Sequence, residues 1–85
     1  MNYSVEWEPN AEDQLAAIWV AHAPHRRDVT AASARIEKEL AADPRRCGRP
    51  VTEGLFAIHV SPLRVIREIA DAERVVNIVA VRWLP

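Results

Sequence analysis

Residues 55–83 read LFAIHVSPLRVIREIADAERVVNIVAVRW, and the fold turns on how this stretch divides. Phe56, Ile58 and Val60 alternate with Ala57 and His59, the period-two pattern of a strand with one buried face. Ser61-Pro62 marks a tight turn, with Pro62 expected to preset its first central dihedral. Leu63, Val65 and Ile69 then share the core face of a second strand, with Arg64, Ile66 and Glu68 on the other. Alternation also puts Arg67 on the core face. An unpaired buried charge is costly, so Arg67 is expected to reach the sheet rim or to pair with a carboxylate. Asp71 to Arg74 reads as a second hairpin loop. Val75 to Trp83 is almost unbroken in apolar residues, as suits a strand buried on both faces, and is expected at the centre of the sheet.

Upstream the period changes. Tyr3, Val5 and Trp7 alternate with Ser4 and Glu6, a half-buried strand ended by Pro9. Asn10 is a suitable N-cap for a helix from about Ala11 to Ala23, with Ala11, Leu15, Ile18, Trp19 and His22 as its inward stripe. Pro24 ends it. A second helix starts between His25 and Asp28, buries Val29, Ala32, Ile36 and Leu40, and stops at Asp43-Pro44. The short link makes the two helices an antiparallel hairpin. Arg45 to Thr52 reads as a basic loop. The expected architecture is therefore α+β, in the order β-α-α-β-β-β: a twisted antiparallel sheet with an N-terminal helical hairpin packed on one face.

The whole chain has 85 residues, which predicts one domain over residues 1–85. Hydrophobic residues make up 49% and charged ones 27%, so disorder is not expected. Eleven basic and twelve acidic residues give a net charge of −1, which argues against a strongly basic nucleic-acid binder but leaves room for a local cationic patch. Cys47 is the single cysteine, so neither an intrachain disulfide nor a thiolate cluster is expected. No apolar run approaches the roughly 20 residues of a membrane span, and Met1-Asn2-Tyr3-Ser4 does not open a signal segment. These features predict a cytoplasmic protein.

His22 and His25 have the spacing of a helical metal-ligand pair, but Pro24 between them spoils the geometry, and neither a metal nor a cofactor is expected. Glu6, Glu8, Glu37 and Glu39 read as solvated surface charges, because nothing apolar surrounds them. His59 and Arg64 flank the Ser61-Pro62 turn, and by alternation both leave the core face. With Arg82 near the end of the last strand they are expected to form a cationic cluster on the side of the sheet opposite the helices. Guanidinium forks suit phosphate, and an imidazole suits general acid–base work. Arg45, Arg46 and Arg49 extend the basic surface. The alternative reading is the ordinary polar face of a half-exposed sheet. Core packing is expected for each of Trp7, Trp19 and Trp83.

Four segments also carry a family resemblance. The second helix ends in Ala-Asp-Pro. Gly-Arg-Pro-Val-Thr-Glu-Gly-Leu follows at 48–55, then Ser-Pro-Leu-Arg-Val-Ile-Arg-Glu-Ile at 61–69 and Glu-Arg-Val-Val-Asn-Ile-Val-Ala-Val-Arg at 73–82. In order and wording the chain resembles the RelE/ParE superfamily, the toxins of bacterial type II toxin–antitoxin modules, also known as plasmid stabilisation proteins. The resemblance implies a growth-inhibiting toxin with a cognate antitoxin protein as partner. It implies one of two targets: DNA gyrase, bound by ParE-like members, or messenger RNA on the ribosome, cut by RelE-like members. A solitary homologue that binds only an antitoxin or itself, as a homodimer, is a third option. Carried over singly, the third-strand arginine of the nucleases is Arg64, and a second-strand lysine position holds His59, with uncharged Ala57 beside it. The C-terminal Arg, His or Tyr falls at or beyond Leu84-Pro85, where no such residue stands. The catalytic set under the nuclease reading is thus His59, Arg64 and Arg82. Arg82 is too basic for proton transfer, so the ParE-like reading is preferred.

Overall fold

The computed structural model describes residues 2–45 and 48–85, so the expectations for Arg46 and Cys47 lie outside the described residues. Strand β1 (Ser4–Trp7) leads into helix α1 (Pro9–Ala21), a single 3-10 turn (Ala23–His25) and helix α2 (Arg26–Ala42). Strands β2 (Arg49–Thr52), β3 (Leu55–Val60), β4 (Leu63–Ala70) and β5 (Val75–Trp83) complete the chain. The fold is α+β, with both helices on one face of a five-stranded sheet of order β1-β5-β4-β3-β2.

Helix α1 begins two residues earlier than its pattern suggested. Glu8 takes the cap position and Pro9 the first turn. Proline fits there because its φ is already helical and the N–H it lacks would have had no partner. Asn10 does not cap; its Nδ2 donates across to the Val79 carbonyl at 3.3 Å.

Three features of the sheet depart from expectation. First, the sheet is mixed, because β1 runs parallel to β5. Two helices separate β1 from the other strands, so no tight turn forces it to run antiparallel. The parallel register sets Val5 beside Val76 and Trp7 beside Ile78, aligning apolar side chains beneath the helices. Second, part of the expected basic loop is strand β2, paired antiparallel with β3. Gly48 permits this. Its φ is +92°, and a Cβ there would lie 2.1 Å from the Ala57 carbonyl oxygen. Third, β4 and not β5 is central, since β1 pairs with the far side of β5 and β2 with the far side of β3.

The apolar run of β5 also has a different cause from burial on both faces. Ile66 pairs with Ala80 and Arg67 with Ile78, which leaves Val79 as an extra residue in a bulge. The bulge changes the phase of the strand. Val76 and Ile78 face the core before it, and Val81 faces the core after it. Past the end of β1, Gln14 of α1 takes the place of a neighbouring strand: its Oε1 accepts from the Val81 N–H at 2.8 Å.

The core comprises Ala11 and Ile18 of α1, Val29, Ala32, Ile36 and Leu40 of α2, and Ile58, Leu63, Val65, Val76, Ile78 and Val81 of the sheet. Of the two alternatives expected for Arg67, reaching the rim does not occur, since the residue is 0% exposed. Its guanidinium lies 4.5 Å from the centroid of the Phe56 ring and donates to the Pro44 carbonyl, which ties β4 to the end of α2. Ser61-Pro62 is a cis peptide, and the pairing of Val60 with Leu63 makes Pro62 the second central residue of the turn, not the first.

Candidate functional site

Strand alternation and register together build the site. On β3 and β4, His59 pairs with Arg64, and on β4 and β5, Arg64 pairs with Arg82. Residues directly opposite in an antiparallel pair share a face. Their chain neighbours Ile58, Leu63, Val65 and Val81 are core residues, so all three side chains project from the bare face. Arg82 reaches this row because of the bulge; without it, simple alternation from Val76 and Ile78 would turn residue 82 inward. His59, Arg64 and Arg82 therefore form one row across three strands.

Arg49 pairs with Ala57 in the adjoining row, two residues along β3 from His59. Arg49, His59 and Arg64 line a groove of about 680 Å³, together with Ala57 and Leu84. Leu84 is fixed there by two hydrogen bonds. Its N–H donates to the Pro62 carbonyl at 2.7 Å, and its own carbonyl lies 2.7 Å from His59 Nε2. A carbonyl oxygen only accepts, so Nε2 carries the proton, and in the neutral ring Nδ1 is left as the acceptor. The Leu84 contact could not be inferred from the sequence, since main-chain partners carry no residue signature.

The remaining cationic candidates separate. Arg45 pairs with Asp71 of the β4–β5 loop, away from the groove, and Tyr3 donates its hydroxyl to the same carboxylate at 3.1 Å. The hydrogen bond from Arg45 is the main reason that the Asp71 carboxyl titrates below its ordinary value, with the Tyr3 hydroxyl adding to it. His22 stacks on Trp83, with centroids 3.7 Å apart and planes at 6°, and His25 tilts against the same indole at 5.5 Å. Among the described residues no cluster of three or more His, Cys, Asp or Glu side chains is arranged to hold a metal ion. Nor is any helix among them long and apolar enough to cross a membrane.

On the opposite side a cleft of about 480 Å³ opens between α1 and α2, lined by Trp7, Leu15, Trp19 and Glu37. Trp7 packs against the core and its Nε1 donates to Glu37 Oε1 at 2.7 Å. Glu37 therefore serves as an acceptor, and Glu39 accepts from Arg35 at 3.2 Å, so both do more than face solvent. Trp83 also packs on the core. Trp19 does not pack as expected: it is 39% exposed, beside Arg26, whose Nε donates to the Trp19 carbonyl.

Comparison with known proteins adds an independent line. The family model described as the ParE toxin of type II toxin–antitoxin system, parDE, matches residues 5–82. Among solved structures, the toxin–antitoxin complex RelBE2 from Mycobacterium tuberculosis is similar at a TM-score of 0.81 and 22% identity, over 98% of this chain and 92% of that one. The chromosomal ParDE system from P. aeruginosa is similar at 0.76 and 14% identity, over 98% and 97%. A mutant of E. coli toxin RelE in the free state is similar at 0.68 and 15%, over 95% and 82%. At these identities the solved structures show the shared fold. No curated protein sequence matches significantly.

Proposed function

The chain belongs to the ParE toxin family of type II toxin–antitoxin systems, and from that premise we propose that it inhibits bacterial growth by binding DNA gyrase rather than by cutting RNA. The observation that carries this reading is the composition of the bare-face row. It sets one imidazole, His59, beside two guanidinium groups, Arg64 and Arg82. Cleavage through a ribose oxygen needs a base, an acid and charge stabilisation, and each proton-transfer role contributes about 10²–10⁴-fold. The row is rich in charge and has a single side chain suited to moving a proton, which fits a contact surface better than a nuclease centre. A cognate antitoxin is the partner this reading implies, in line with the toxin–antitoxin systems among the similar structures.

A supercoiling assay with purified protein tests the target. Inhibition is expected at micromolar protein, weakened by Arg64→Ala and by Arg82→Ala. Gyrase unaffected at that concentration overturns the reading.

One observation favours a second reading, a RelE-like messenger RNA endoribonuclease. His59 sits directly opposite Arg64, with Nδ1 as its proton acceptor, which pairs a base with a phosphate-binding fork. Translation-dependent cleavage in a cell-free system, lost in His59→Ala and Arg64→Ala, would support it. Absence of cleavage by the parent removes it. Expression without any partner distinguishes both from an inert homologue, which would cause no growth arrest.

A further inference from the structure

We propose that two copies of this chain associate through their bare sheet faces, as a two-fold dimer in which the cationic row of each copy meets an acidic row of the other. The inference goes beyond the gyrase reading and does not depend on it. The bare face carries a second charged row besides that of His59, Arg64 and Arg82. Glu68 of β4 pairs with Asn77 of β5, and Asn77 with Glu6 of β1. Val5 and Trp7, on either side of Glu6, pack on the core, Val76 and Ile78 beside Asn77 are buried, and so is Arg67 beside Glu68. Alternation therefore sends Glu6, Asn77 and Glu68 out from the bare face.

One row separates the two charged ones. Ala57, Ile66 and Ala80 pair across β3, β4 and β5, and each is half-buried. The face is thus cationic at one end, apolar in the middle and acidic at the other. Residues four apart along a strand stand about 13 Å from each other, so Arg64 and Glu68 are too distant to form an ion pair within one chain. Among the described residues none of Arg64, Arg82, Glu6 and Glu68 has a salt-bridge partner. A second copy supplies partners for all four.

Symmetry fixes how. Two sheets pack face to face about 10 Å apart with strands roughly aligned, a gap that an arginine and a glutamate reaching toward each other can span. A closed pair of identical chains needs a two-fold axis. An axis along the strands would lay cationic row on cationic row. An axis across the strands, through the middle row, sets Arg64 over Glu68 of the second copy and Arg82 over Asn77, beside Glu6, of the second copy. It also lays Ile66 on its own counterpart, so covering the middle row adds a hydrophobic gain. Each contact occurs twice. A net charge of −1 per chain opposes the approach little. Arg49 shares the middle row on the exposed edge strand β2, where its long side chain can extend into solvent away from its counterpart. The face is small, so a weak dimer is expected, with dissociation at roughly 10–100 μM. Association hides the His59 row, and the monomer is the form that presents it.

Sedimentation velocity over a concentration series of the full chain, at low and at high salt, is the test. The parent is expected to pass from monomer to dimer as concentration rises, and at higher concentration when salt is added. Arg64→Glu and Glu68→Arg each set like charges opposite one another twice, and each is expected to weaken association at least about tenfold. An equimolar mixture of these two variants is expected to restore the dimer, because the reversed charges then face each other. The double variant Arg64→Glu/Glu68→Arg should dimerise by itself for the same reason. Rescue by mixing also separates a lost contact from a lost fold, since misfolded chains would not pair. Three results overturn the proposal: a parent that stays monomeric up to about 1 mM, a dimer that neither reversal weakens, or a mixture no more associated than its components. Gyrase inhibition by a chain that never dimerises would remove this inference and leave the target reading standing. A dimer that behaves as described, from a chain without effect on gyrase, would do the reverse.

Discussion

Leu63 and Arg64 are adjacent in the chain and lie on opposite sides of one sheet. Leu63 is 0% exposed beneath the helices, while Arg64 faces the uncovered side in a row with His59 and Arg82. The covered side is apolar, and its cleft between the helices is lined by indoles and an aliphatic side chain beside Glu37. The bare side gathers cations around a polar groove. The difference shows how stability and recognition separate in a small fold. A period of two assigns alternate residues to each face, so one strand can supply a core and a charged surface at once. The division is not strict, since Arg67 is buried on the apolar side with its charge over the Phe56 ring.

Truncations on either side of β4 test the comparison most severely. Leu63→Ala leaves a cavity in a fully buried site and is expected to cost about 2–5 kcal/mol, whereas Arg64→Ala on the bare side should stay within about 0.5 kcal/mol. Urea denaturation of both variants measures the contrast, and equal costs would break it.

Gly48→Ala probes how the bare-side groove acquires its rim. The new methyl would clash with the Ala57 carbonyl at a residue whose φ is +92°, so a loss of about 2–3 kcal/mol is expected. Amide exchange should quicken along β2 and β3 more than along β5. Uniform exchange across the sheet would mean that β2 is not a separately held edge.

Gln14→Ala sharpens the comparison from the covered side. It strips the Val81 N–H of its acceptor next to the bulge that turns Arg82 outward. Leaving a part-buried donor unpaired should cost about 1–2 kcal/mol in thermal or chemical melts. It should also perturb the chemical shifts of Arg82, on the opposite face.

The smallest effect is electrostatic. Because Arg45 and Tyr3 hold the Asp71 carboxyl below its ordinary value of 3.8, the stability it contributes is present above that value and is lost as pH falls through the lower folded value. Asp71→Asn should therefore flatten the acid limb of the stability–pH curve measured by urea denaturation. An acid limb unchanged by the substitution would show that the Arg45–Asp71 pair contributes nothing to stability.

Much of this architecture was legible in the chain. The alternation of Phe56, Ile58 and Val60, the helical stripe of Val29, Ala32, Ile36 and Leu40, and the outward position of His59 and Arg64 all follow from periodicity. Arg82 was assigned to the right face by a strand reading that did not include the bulge at Val79, and the bulge is what puts it there. The expected loop at Arg49–Thr52 is a strand because pairing with β3 needs Gly48 at a particular φ, a requirement that its residue type allows but does not announce. Trp19 sits at a helical core spacing and is nonetheless partly exposed, because the helices part to form a cleft there.

The sequence alone determined which residues are apolar at which period, and so the number and kind of most elements and the face on which each side chain begins. Those are local properties of the backbone, set by steric repeat. Tertiary structure decided the direction of β1, the central place of β4, the burial of Arg67 and the meeting of Arg49 with the His59 row. Each depends on hydrogen bonds and packing between segments distant in the chain, and such contacts form only once the strands have been brought side by side.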